Sequence, residues 1–309
     1  MNSRRQWAAA LAGLLGLASG PFTDCHAAAL RLCEHQRPMT AFQQDTLLRF
    51  AGIVKNELEA SGRRLALVAR SGLDLSRFDQ RYSHAGLSLQ ASPNAPWSVR
   101  QLYYACDEGQ PRLYDQGIPG FLLGTDDPEL GYVSIVYLPA AEAAALERLA
   151  LDNRRALQLL GSAYSANAYP WSLRYQNCNQ WLSELLATAW AEPGTEAEAQ
   201  TEPRARAQRW LQDRGYAPSV FDLGYRPLTW LAGLLPWLHN DDHPPADLER
   251  AVYRVSMPAS IEAFVHAALP QAERVQICHN GRQITIRRGW EPVAEGCQPG
   301  AQDTAIRLD

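Results

Sequence analysis

An α+β protein is predicted by two kinds of sequence pattern. Apolar residues recur at helical spacing over Phe42–Ser61, Ala140–Leu160 is strongly helical by composition, and apolar residues recur at helical spacing again over Asn177–Trp190. Between the first two of these lie the short apolar run Leu65–Ala69, the run Tyr82–Gln90 and the run Trp97–Cys106, the last rich in aromatic and β-branched residues, separated by turn-forming residues in the manner of a strand meander.

The chain opens on a leader-like segment over residues 1–29. Arg4 and Arg5 precede the apolar stretch Trp7–Leu17, and the small residues Ala27, Ala28 and Ala29 offer a cleavage region. This pattern predicts export to the periplasm or beyond, and the apolar stretch is too short for a membrane span. Phe42–Ser61 follows as an amphipathic helix with Phe42, Leu47, Leu48, Phe50, Ala51, Val54 and Leu58 on its apolar side, and Gly62 ends it. After the meander, Pro111–Pro128 reads as irregular and Tyr132–Tyr137 as a fourth strand. Ala140–Leu160 reads as one helix, and Asn177–Trp190 as another.

Residues 191–206 are rich in Ala, Glu, Pro and Thr without apolar period, which reads as an exposed linker or surface excursion. The sequence thus divides into a leader (1–29), a core (30–190), a linker (191–206) and a C-terminal extension (207–309). In the extension, Leu228–Leu238 is apolar nearly all round: a buried helix, or a wall that meets an acyl chain through Trp230 and Trp237. A strand at Tyr253–Met257, a helix at Ile261–Leu269 and a hairpin turning at Asn280 and Gly281 complete it.

The formal net charge of −4 gives no basis for a nucleic-acid partner, and the arginines are scattered rather than clustered. There are six cysteines. If Cys25 leaves with the leader, five remain, and an odd number in an oxidising compartment leaves one thiol over. Cys278 and Cys297 flank the hairpin and make a local pair, Cys33 with Cys106 is the second pair by elimination, and Cys178 is the thiol left over.

Cys178 stands at a helix start. Asn177 is a good N-cap, Gln180 occupies the third helical position of a capping box, and Trp181, Leu182, Leu185, Leu186, Ala189 and Trp190 form one buried helix face. A thiol at the first helical position faces unpaired backbone N–H groups and the positive end of the helix dipole, which favour the thiolate. A nucleophilic thiol also needs a base. In Tyr82–Gln90 the two-residue period puts Ala85, Leu87 and Leu89 on the core side and His84, Gly86, Ser88 and Gln90 on the other. Gly86 leaves room beside His84 for a helix N-terminus to approach.

A strand carrying Ser83-His84-Ala85-Gly86, followed about ninety residues later by Tyr175-Gln176-Asn177-Cys178-Asn179-Gln180-Trp181 at a helix start, resembles the circularly permuted NlpC-type branch of the papain-like cysteine enzymes. Lecithin retinol acyltransferase-like proteins belong to that branch, and the motif is also similar to that of a secreted proteobacterial family that carries only a domain-of-unknown-function label. The resemblance covers about Leu65–Trp190. It implies a permuted papain-like core, with an antiparallel sheet packed on the nucleophile helix, in which Cys178 is the nucleophile and His84 the base. The third group follows on the next strand, where Gln101 and Ser98 are the acceptors and Gln101 has the longer reach. The branch often has a histidine there, and this chain has none. The Cys178 backbone N–H would hold an oxyanion, with the Tyr175 hydroxyl or the Gln180 amide as second donor.

The chemistry implied is acyl transfer without a cofactor, by an amidase, peptidase or acyltransferase, on a cell-envelope peptide or a lipid acyl group. Two other readings stay open: a non-catalytic envelope-binding module with a vestigial dyad, and a Cys178 committed to a structural disulfide. His239-Asn240-Asp241-Asp242-His243 contains two potential metal ligands, but Pro244 and Pro245 break any helix that would align them, and the stretch reads as a polar loop.

Overall fold

A computed structural model describes residues 38–191, 201–224 and 235–308 of the 309-residue chain. The segment 1–29, Cys25, Cys33 and residues 228–234 of the apolar stretch lie outside the described residues. The protein is α+β. Its first helix, α1 (Ala41–Ala60), starts at Thr40, whose hydroxyl accepts from the Gln43 N–H while the Gln43 side chain accepts from the Thr40 N–H. This reciprocal pair satisfies two backbone donors that the first turn would otherwise leave free. The helix ends before Gly62, at φ +66°, a conformation glycine adopts without a Cβ clash.

The strands are β1 (Leu65–Arg70), β2 (His84–Leu89), β3 (Ser98–Ala105), β4 (Gln110–Gln116) and β5 (Gly131–Tyr137), then β6 (Ser219–Asp222), β7 (Val252–Val255), β8 (Glu273–His279), β9 (Gln283–Arg288) and β10 (Thr304–Arg307). Among the described residues eight of them form one sheet in the order β10-β9-β8-β5-β1-β2-β3-β4, antiparallel at every step. The sheet takes strands from both sides of the 191–206 segment, because β5 pairs with β8 from Gly131 opposite His279 to Tyr137 opposite Glu273. β6 and β7 form a separate two-stranded ribbon.

Directly opposed residues share a face of a sheet. Ala66, Val68 and Arg70 of β1 oppose Ser88, Gly86 and His84 of β2, so all six belong to the first face. On that face Ala66, Val68, Val99, Val133, Ile135, Val275 and Ile277 pack beneath Leu47, Phe50, Val54 and Leu58 of α1 and Phe121 of α2 (Ile118–Leu123).

The second face carries Leu67, Leu87, Leu89 and Leu102, each buried. It is covered by α3 (Ala140–Leu151), α4 (Asn153–Gln158) and α5 (Cys178–Trp190), the last packing on β2 and β3. Arg100 of β3 reaches the Ala150 carbonyl and Asn153 Oδ1 there, and the Trp181 indole donates to the Ala156 carbonyl at 3.4 Å. Each leucine so enclosed contributes about 1.5–3 kcal/mol by removal from water, and this burial seats α5 against β2.

Three local differences from the sequence pattern have physical causes. The expected single helix Ala140–Leu160 breaks at Asp152, whose extended backbone and side chain cap α4 by accepting from the Arg155 N–H. The stretch from Pro111 read as irregular contains most of β4, a sheet-edge strand, where proline is tolerated because one side of the strand needs no ladder bond. The next helix, α6 (Pro203–Asp213), begins within the segment read as a linker, with Pro203 in the first turn and the Glu202 carboxylate accepting from the Ala205 N–H.

Candidate active site

Cys178 is the first residue of α5, and Asn177 caps the helix through its side-chain oxygen, which accepts from the Gln180 N–H at 2.7 Å. The other half of the expected capping box is absent. The Gln180 amide instead donates toward the Pro170 and Ser172 carbonyls and to Glu184 at 3.2 Å. Cys178 is a free, buried thiol. Cys278 is bonded to Cys297 with Cα atoms 5.7 Å apart, and Cys106 is disulfide-bonded as well, although Cys33, the partner expected for it, lies outside the described residues.

His84 is the first residue of β2, and its Nε2–H donates to Gln101 Oε1 on β3. The Gln101 amide nitrogen in turn donates to Gln116 Oε1 on β4 at 2.8 Å, so the oxygen is the end turned to the imidazole. His84 Nδ1 is then the ring atom that carries the lone pair. Gly86 makes this contact possible, though not by admitting a helix: a Cβ there would lie 2.6 Å from a Val99 methyl, 2.8 Å from the Arg100 carbonyl and 3.1 Å from Gln101 Cβ. The missing side chain lets β3 close on β2 and delivers Gln101 to His84. The open face expected for His84 is covered, since all six residues of β2 are buried and the imidazole packs against Phe121 and Tyr103 at centroid distances of 5.9 and 6.2 Å.

Cys178 and His84 reach the same region from opposite faces. His84 leaves the sheet on the first face, and α5 lies on the second. The residues next to them meet at the end of the sheet, where β1 stops and β2 begins: the Asn179 amide, next to Cys178, donates to the carbonyl of Ser83, next to His84, at 3.2 Å. No hydrogen bond joins the Cys178 sulfur to His84 among the described residues.

Arg70 is the charged group that acts electrostatically on both. It is the register partner of His84, and the Ser83 N–H donates to its carbonyl at 3.1 Å. Its guanidinium donates to the Ser71 and Gly124 carbonyls and lies over the Phe121 ring, 5.4 Å from the centroid.

Burial dominates the electrostatics. It pushes the Cys178 thiol up to about 12, although the backbone N–H groups of Asn179 and Cys178 and the Arg70 charge all favour the thiolate. The low-pKa thiol expected of a helix start is therefore reversed at rest, because desolvation in a closed site outweighs two N–H groups and one cation. Burial first, and Arg70 second, push His84 down to about 3 against the opposing hydrogen bond to Gln101. Burial also lowers the Arg70 value, opposed by Tyr103, Cys178 and Asp126. The resting state is a neutral thiol beside a neutral imidazole.

Neither side chain expected to be a second oxyanion donor is turned to the thiol. Tyr175 stacks on His239 at 4.3 Å with planes 8° apart, and burial first, with Asp241 second, pushes the pKa of its hydroxyl up. The Gln180 amide is held as above. The polar stretch His239–His243 docks onto the loop leading into α5: the Tyr169 N–H donates to Asp242 at 2.9 Å, and His243 Nε2 to the Asn167 carbonyl at 2.6 Å. Trp237 is buried, and Trp230 lies outside the described residues.

A second constellation braces the same loop. Glu184, fully buried on α5, accepts from Arg204 Nε at 2.8 Å and Nη2 at 3.2 Å, from Gln176 at 2.6 Å and from Gln208 at 2.7 Å. Arg204 also donates to the Leu173 and Tyr175 carbonyls, each at 3.0 Å. Both residues escaped the sequence reading, which had placed Arg204 in a linker.

Nothing among the curated proteins and nothing among the solved structures matches this chain. The profile of a bacterial family, described as "Uncharacterized protein conserved in bacteria (DUF2145)", matches residues 57–265, about two thirds of the sequence. That span takes in Arg70, His84, Gln101, Cys178, Glu184 and Arg204, and the chain belongs to this family.

Proposed function

We propose that this chain is an exported cysteine-dependent amidase, peptidase or acyltransferase with a permuted papain-like core, acting on a cell-envelope peptide or lipid acyl group. What supports the reading is one free helix-start thiol and a strand histidine whose Nε2 is already occupied by Gln101, in a chain where Asn179, next to the thiol, is bonded to Ser83, next to the histidine. A base needs one ring nitrogen oriented and the other free to take a proton, and this is the polarity such a relay requires. With both groups neutral at rest, His84 Nδ1 takes the Cys178 proton as sulfur bonds to the substrate carbonyl carbon. The imidazolium then gives that proton to the departing amine or alcohol as the carbon–heteroatom bond breaks. Water, or an acceptor amine or alcohol, attacks the thioester, loses its proton to His84 and releases the Cys178 thiol. The Cys178 and Asn179 N–H groups are the donors nearest a developing oxyanion.

The test is intact-mass analysis of the protein after exposure to activated esters and to peptide amides. An acyl adduct on the wild type, absent in Cys178→Ala and strongly reduced in His84→Gln, is expected. A wild type that takes up no acyl group from any of these substrates would sink the reading. The burial of Cys178 favours a second reading, an envelope-binding module, which predicts peptidoglycan or lipid binding unchanged in Cys178→Ala.

A further inference from the structure

Arg70 is a cation without a carboxylate in salt-bridge contact among the described residues, although it is 8% exposed. Its Nε is buried without a hydrogen-bond partner. The site is built around the guanidinium: a Cβ on Gly72 would lie 2.5 Å from Nη1, and one on Gly124 would overlap Nη2, so two glycines clear the space it occupies. The same Gly72 position is 2.7 Å from Ser83 Oγ, and the Ser83 carbonyl holds Asn179 beside the thiol. A buried cation with an unsatisfied donor is expensive unless an anion forms next to it.

We infer that Arg70 is the positioning residue that stabilises the Cys178 thiolate, so that the anion formed at Cys178 has the fixed guanidinium, rather than a histidinium, as its counter-charge. This deepens the cysteine-enzyme reading and rests on it for its catalytic meaning, but not for its test. The first-face location of His84 supports the assignment: a positive charge on His84 would face Arg70, its register partner, whereas a negative charge on Cys178 is attracted to it. His84 therefore works as a transient proton carrier. The other titratable groups around the pair are Tyr164, which senses Cys178 and is held neutral by burial, and Tyr103 and Asp126, which sense Arg70. Asp126 is an acidic group that acts on Arg70, and Arg70 is the charged group that acts on the thiol.

The experiment is the rate of Cys178 alkylation by iodoacetamide in the folded full chain from neutral to alkaline pH, followed by mass. Sulfur bonds to carbon, iodide leaves, and the thiol proton passes to buffer. Arg70→Gln is expected to slow the reaction on the order of tenfold at each pH, the loss of about one pK unit of thiolate stabilisation, and Arg70→Lys to restore most of it. In urea all variants should react alike. Should Arg70→Gln fail to fold, Gly124→Ala serves, because its methyl displaces the guanidinium while keeping the charge, and it too should slow alkylation. Rates unchanged in Arg70→Gln, or in Gly124→Ala where that is the folded variant, would overturn the inference, even if acyl-enzyme forms. Arg70-dependent alkylation without any acyl-enzyme would uphold it and remove the enzyme reading alone.

Discussion

Breaking the Glu184–Arg204 pair should destabilise the fold more than any surface ion pair, because both groups are enclosed. The Glu184 side chain is 0% and the Arg204 side chain 4% exposed. Removing one partner of such a pair leaves the other charge desolvated, at a cost of about 3–5 kcal/mol. Arg204→Met keeps most of the stem but strips donors from Glu184 and from the Leu173 and Tyr175 carbonyls, so it belongs near the upper end. Glu184→Leu strands the guanidinium and leaves the Gln176 and Gln208 amides without their shared acceptor. Against a total stability of about 5–15 kcal/mol either change is large. The double variant removes both charges and should cost at least about 2 kcal/mol less than the sum of the singles. Urea unfolding followed by circular dichroism and tryptophan fluorescence measures all three, provided the two transitions coincide. Single variants within about 1 kcal/mol of wild type, or strict additivity, would refute the claim that this pair clamps α5 to α6.

Acid should weaken the fold through two buried histidines. Burial pushes His84 down to about 3 and His279 down to about 4, so the unfolded chain, with histidines near 6.5, binds the extra protons. Stability present above that value is lost as pH falls, by about 1.4 kcal/mol per pH unit for each group until its folded value is reached; His279→Gln should flatten the slope, and an unchanged slope counts against it. Gly86→Ala should cost roughly 1–3 kcal/mol by forcing β3 off β2, and should disturb the His84 imidazole signals in NMR; a silent substitution would contradict the close approach seen there. Loss of the Cys278–Cys297 disulfide in the double alanine variant should cost roughly 2–4 kcal/mol in denaturant without altering alkylation of Cys178, and a changed alkylation rate would tie the hairpin to the site.

The parts of this protein legible in its sequence are those governed by near neighbours. Asn177 announces the start of α5 because a cap acts over three residues, and the alternation in β2 identifies its two faces because side chains in a strand alternate strictly. Glu184 and Arg204 were illegible for the opposite reason. Glu184 sits in a helix whose apolar period hides one charged residue, and Arg204 lies twenty residues on, in a stretch whose composition speaks of solvent. Only the fold brings them together. Arg70 closes a short apolar strand and looks like an ordinary strand-end charge until β2 and the Gly124 turn enclose it. The thiol pKa was misjudged for a related cause: a helix N-terminus is a local signal, whereas the desolvation that overrides it comes from elements far along the chain.

The junction between β5 and β8 has a consequence for how the chain is assembled. β5 is complete once Tyr137 has emerged, yet its outer edge stays bare until Glu273–His279 arrives more than a hundred residues later. Its residues are buried along the whole strand, so in the interval an apolar, unpaired ladder is open to strands of other molecules. Such long-range closure is slow, since the loop entropy must be overcome before the pairing repays it. Chains cut short before β8 should therefore aggregate rather than fold to a smaller domain, and the nascent protein is expected to depend on a holdase until β8 is delivered.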